Sequence, residues 1–176
     1  MNKKIIENRL KNALKRLYYY DSHIIDNNSN ERSITHRLAV HLGTVFFKWD
    51  VDVEYNRNLN DMKAFNERTR RVIEAVDDKM DFLTGVKTVY PDIIVHKRGT
   101  RNNLLAIEVK KMSTSERLEQ YDINKVKGYI IEESLNYKYV AFIKLAPSSE
   151  IEKNKIIIKS REEVQQEIAN GELDFG

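Results

Sequence analysis

The chain has 176 residues, no cysteine, and 30 lysines and arginines against 27 aspartates and glutamates, for a formal net charge of +3. That length supports one domain whose core needs neither disulfides nor a structural metal, and the missing cysteine excludes disulfides and thiolate metal sites, as suits a reducing compartment. No apolar run approaches the roughly 20 residues of a membrane span, so a soluble, cytoplasmic protein without a membrane partner is expected.

The first predicted element is a helix over residues 3–20. Its sequence, "NKKIIENRLKNALKRLYYY", is interrupted by Glu7, Arg9, Lys11 and Lys15, which makes it amphipathic and unlike a signal peptide. Residues 1–16 hold six Lys/Arg against one Glu, and "NERTRRV" repeats the bias on a smaller scale. Such clusters suit phosphate binding and equally suit a solvated helix face. Tyr18, Tyr19 and Tyr20 offer rings for base stacking, or form a helix end packed on the core.

"DSHIIDNNSN" is expected to break this helix. A second helix follows, with Ile34, Leu38, Leu42 and Val45 as its buried stripe. "VDVEY" alternates Val51, Val53 and Tyr55 with Asp52 and Glu54, the period of a half-exposed strand. "DMKAFNERTRRVIEAVDDKM" returns to helical spacing through Met62, Phe65, Val72 and Val76. Two short strands, "DIIV" and "LLAIEV", come next. A further helix opens near Ser113, whose spacing to Glu116 is that of a capping box. "KYVAFIKLA" and "NKIIIKS" read as strands, and "REEVQQEIAN" as a last helix ended by Gly171. The chain divides into an N-terminal helix and loop over 1–29, a core over 30–146 and a C-terminal strand and helix over 147–176. The expected class is α/β, a mixed sheet of four or five strands with helices on its faces.

The two short strands carry an anomaly. Asp92 opens the first, Glu108 sits inside the second and Lys110 follows, although charged side chains are seldom buried without a partner. With "KRGTRNN" as the turn, a hairpin centred near Thr100 pairs Ile94 with Ala106, His96 with Leu104 and Asp92 with Glu108. Two like charges in that position destabilise a sheet unless a cation lies between them, and hard divalent cations take such oxygens as ligands. The competing explanation is a turn aspartate and a Glu108–Lys110 edge ion pair. Glu31 extends the stripe of Ile34, Leu38 and Leu42 inward as a further candidate ligand, or caps its own helix by reaching back to Asn28.

Pro91-Asp92 followed by Glu108-Val109-Lys110, each at a strand, together with an acidic residue on a preceding helix, resembles the PD-(D/E)XK nuclease superfamily. The resemblance spans about residues 30–146. It implies a restriction-endonuclease-like core with a helical insertion between the first two core strands. It also implies that Asp92, Glu108 and the Val109 carbonyl hold magnesium, with manganese as the alternative. Glu31 would complete the metal environment, directly or through water, and Lys110 would orient the attacking water. The implied substrate is nucleic acid, DNA before RNA, with a homodimer for cleavage of two strands. Tyr55, Arg98, Lys111 and Lys125 are the candidates for contact with that substrate, although Asp122 and Lys125 also fit an ordinary surface ion pair. A catalytically silent nuclease-fold module for binding or assembly, and a plain α/β domain, are the other readings.

Overall fold

The structure, a computed structural model, describes residues 1–27, 29–54, 57–58, 61–62, 66, 69 and 90–171. Helix α1 covers Lys3–Asp26 and α2 covers Glu31–Val45. Strand β1 is Asp50–Val53. The two-residue strands β2 (Arg57–Asn58) and β3 (Asp61–Met62) pair with each other. Strands β4 (Ile93–His96) and β5 (Asn103–Lys111) follow, then helix α3 (Glu116–Ile131), strands β6 (Tyr137–Leu145) and β7 (Lys155–Ser160), and helix α4 (Arg161–Ala169).

Five strands form one mixed sheet in the order β1-β4-β5-β6-β7. The β5–β6 pair is parallel and the other three are antiparallel. Helices cover both faces. Ile6, Leu10, Leu17 and Leu38 of α1 and α2 pack on Ile93, Val95, Leu105 and Ile107. Ile123, Val126 and Ile130 of α3 pack on Ile94, Ala106, Val140 and Phe142, joined by Val164 of α4. A strand covered on both faces reads as a continuous apolar run, which accounts for "LLAIEV" and sets Glu108 apart within it. Among the described residues, no helix is long and apolar enough to cross a membrane.

Several local expectations are corrected. The first helix does not stop at Tyr20; it kinks at Asp21, whose φ is −133°, and continues to Asp26. Asp21 receives hydrogen bonds from Arg37 and His41 of α2, and these hold the chain through the kink. The cap of α3 is Ser115, not Ser113, because the Ser115 side chain accepts the Leu118 N–H. Asp61 and Met62, expected to begin a helix, lie in the short β2–β3 ladder. The rest of that expected helical insertion falls outside the described residues, apart from Asn66 and Thr69. The last helix does carry a full capping box, between Ser160 and Glu163.

Candidate active site

The hairpin register brings the charged residues to one end of the sheet. Ile93 pairs with Ile107 and Ile94 with Ala106, so the chain just before β4 runs beside Glu108. A bulge between Val95 and His96 pairs His96 with Asn103 instead of Leu104, and this irregularity lies at the other end of the hairpin. Asp92 precedes the first paired residue. Its main-chain carbonyl accepts the Glu54 N–H at 3.1 Å and its Oδ2 accepts the Val109 N–H at 2.8 Å. A side chain–backbone bond therefore joins the two motif segments where the ladder ends.

Glu108 is 0% exposed. Strand alternation turns it, with Ala106 and Lys110, toward α3. There its Oε1 accepts from Tyr129 Oη at 3.0 Å and pairs with Lys125 Nζ at 2.9 Å. The equally buried Oε2 has no hydrogen-bond partner among the described residues. An orphaned buried carboxylate oxygen is costly.

Lys110 stands at the mouth of this arrangement. Its Nζ donates to Glu31 Oε1 at 2.8 Å and lies 3.8 Å from Asp122 Oδ2. Asn30 caps α2 by accepting the Ser33 N–H, which leaves Glu31 as the first residue of the helix, where it meets Lys110. The expected reach of Glu31 back to Asn28 falls outside the described residues. Four carboxylates, Glu31, Asp92, Glu108 and Asp122, surround two ammonium groups, Lys110 and Lys125.

The electrostatics follow from that imbalance. Burial, and then the charge of Glu108, push the Asp92 carboxyl from 3.8 up to about 7, against the pull of the Val109 N–H, Lys110 and Lys125. Burial likewise raises Asp122, despite Lys110 and Lys125 beside it. Burial pulls the Lys110 ammonium down, but the Glu31 hydrogen bond and the charges of Asp122 and Asp92 outweigh it and hold it above its ordinary value. Lys125 is held up in the same way, chiefly by Glu108.

The other candidates are distributed as follows. Lys125 is not the surface ion pair with Asp122; it is half-buried and bonded to Glu108. Lys111 faces away from Lys110, and its Nζ donates to the Ser29 carbonyl at 3.3 Å. Arg98, in the hairpin turn, is engaged with Asp52 and, through its N–H, with Asp50 Oδ2 at 3.0 Å. Tyr55 falls outside the described residues. Tyr129 escaped notice in the sequence because a tyrosine beside Ile130 reads as core. The available signal was its place four residues after Lys125 and seven after Asp122, a polar edge along the apolar stripe of α3.

No family model matches this chain, and no curated protein or solved structure matches it either. Among the described residues, no three His, Cys, Asp or Glu side chains are gathered closely enough to hold a metal ion by themselves. Any metal would rest on two carboxylates, main-chain oxygen and water. Magnesium commonly takes that kind of set, completed by substrate phosphate.

Proposed function

We propose that the chain is a metal-dependent nuclease of the PD-(D/E)XK type, with a restriction-endonuclease-like core, hydrolysing phosphodiester bonds in DNA before RNA. The reading is carried by the buried Glu108 carboxylate, one oxygen of which is orphaned beside an Asp92 that burial and like charge drive toward neutrality. Lys125 meets one oxygen of Glu108, and a divalent cation between Asp92 and the other oxygen would relieve the repulsion that remains.

A divalent ion held by Asp92, Glu108 and the Val109 carbonyl, magnesium or manganese, would supply Lewis acidity and a water of lowered pKa. The protein's own residues prepare that place. Lys125 and Tyr129 hold Glu108 by Oε1 and leave Oε2 available. The Val109 N–H holds Asp92 by Oδ2. Lys110, kept cationic by Glu31 and Asp122, places a fixed positive charge at the rim, where charge develops on a phosphate under attack. Glu31 orients Lys110, so its part in the site runs through that ammonium. Cleavage of both strands of a duplex calls for two such sites, which a homodimer supplies.

A second reading rests on Lys125. Its ammonium already neutralises Glu108, as it would in a nuclease-like module that binds without cutting. One experiment separates the two. The protein is incubated with supercoiled and linear DNA and with RNA, in magnesium or manganese, beside Glu108→Ala, and metal binding is followed by calorimetry. Cleavage that needs metal and is lost in the variant supports the nuclease. No cleavage and no metal binding by the wild-type protein supports the silent module.

A further inference from the structure

The three consecutive tyrosines at the end of the first half of α1 have different fates. Tyr18 is buried, and its hydroxyl donates to the Ala146 carbonyl at 2.7 Å and meets Asn154 Oδ1 at 2.8 Å. Tyr19 and Tyr20 are 81% and 58% exposed, so packing on the core does not explain them. Their rings meet edge to face at 4.7 Å. Arg16 lies over Tyr20 at 5.4 Å. Across the helical hairpin, just after α2, Phe47 is 70% exposed with Lys48 over its ring at 5.8 Å and Arg9 at 6.0 Å. Tyr20 also stacks on His41 of α2 at 6.0 Å, which links the two helices across this face.

Isolated exposed rings are ordinary, but a tyrosine pair and a phenylalanine spaced along one helical hairpin, each with a cation over a ring, are not. Residues 8–20 contain Arg9, Lys11, Lys15 and Arg16 and no acid, and residues 40–49 contain no acid. Asp21, the next carboxylate along α1, is buried and taken up by Arg37 and His41. We infer that this face of the α1–α2 hairpin docks a single-stranded nucleic acid, with Tyr19, Tyr20 and Phe47 stacking on bases and Arg16 and Lys48 meeting phosphates. Base-stacking platforms combine planar side chains with a cationic track in this way. A bilayer-inserting face is instead rich in Leu, Phe and Trp, whereas two of these three rings carry hydroxyls. From Arg9 to Tyr20 the helix rises about 16 Å, the length of about five phosphates at B-form spacing. Of the carboxylate cluster only Glu31 shares an element with this face, at the far end of α2 from Phe47, and the inference stands or falls independently of cleavage.

Fluorescence anisotropy of the full chain with labelled dT15, in EDTA so that divalent cations are removed, tests it. The Tyr19→Ala/Tyr20→Ala/Phe47→Ala variant is expected to bind at least tenfold more weakly, since stacking contributes about 1–3 kcal/mol per base. Arg16→Gln/Lys48→Gln is expected to flatten the slope of log affinity against log salt by about 1.4. Amide shifts on titrating dT15 into the wild-type protein should cluster in residues 9–20 and 40–48, a measurement that needs no variant to fold. The inference is overturned if dT15 does not bind, if the triple variant binds equally well, or if the shifts fall elsewhere. It is also overturned if anionic vesicles bind in preference to dT15, or if sedimentation shows a dimer that Phe47→Ala dissociates. Binding here by a protein that cuts nothing would sink the proposed nuclease activity and leave this inference standing.

Discussion

Asp92 offers a direct measure of how unsatisfied the carboxylate cluster is. Its carboxyl rises from 3.8 to about 7 on folding, about three units, so the metal-free folded state gives up about 4 kcal/mol when Asp92 is ionised. The sign follows from the direction. The folded state holds the proton more tightly, so Asp92 favours folding below 3.8, and that advantage is lost progressively as pH rises to about 7. Asp92→Asn removes the titration and keeps an oxygen to accept the Val109 N–H. In EDTA the variant should therefore exceed the wild type by about 1.5 kcal/mol at pH 5 and by up to about 4 kcal/mol at pH 8. Urea denaturation across that range gives both values. Adding magnesium at pH 8 should raise wild-type stability more than that of the variant, since a ligand bound only by the folded state stabilises it by mass action. If the stability difference is flat between pH 5 and pH 8, Asp92 is not penalised and the case for a cation between Asp92 and Glu108 collapses.

Other outcomes follow from the same geometry. Lys125→Met strands a fully buried carboxylate and should cost about 3–5 kcal/mol, whereas Lys125→Met/Glu108→Leu should recover much of that loss in the same denaturation assay. Recovery would also show that the charged pair is kept for something other than stability. Tyr129→Phe removes the hydroxyl on Glu108 Oε1 and should cost about 1–3 kcal/mol in the same assay, and the proposed nuclease activity requires it to reduce cleavage proportionally more than DNA binding. Burial opposes ionisation of Asp21, but the hydrogen bonds from Arg37 and His41 win and hold it below 3.8. Asp21→Asn should thus destabilise by about 2–3 kcal/mol at neutral pH, a difference that shrinks as pH falls through the folded value and that denaturation at pH 7 and pH 3 would reveal.

Much of the scaffold was legible in the residues themselves, because it depends on short-range periodicity. The stripe of Ile34, Leu38 and Leu42, the unbroken run through β5, and the "KRGTRNN" turn with Gly99 at φ 69° each declare an element from local spacing and turn chemistry. The same spacing placed Ile94 against Ala106, and hence Asp92 near Glu108. Local rules misjudged places where a distant side chain decides. The kink at Asp21 is bridged by Arg37 and His41 on another helix, so the turn-forming residues that follow it did not end α1. Glu31 had a plausible local partner in its own cap, yet Lys110, brought up by β5, takes it.

The charges in "YPDIIVHKRGTRNNLLAIEVKK" show the same division. Alternation along a strand is a property of the backbone, so the sequence alone placed Glu108 and Lys110 on one face of β5. Which groups meet them there depends on how α3 packs across the sheet, and that depends on the apolar contacts of Ile123, Val126 and Ile130 with strands far away in sequence. Only tertiary packing could bring Lys125 and Tyr129 onto one oxygen of Glu108 and leave the other without a partner. Burial of Asp92 itself, and then the charge of Glu108 beside it, push an ordinary aspartate carboxyl from 3.8 up to about 7.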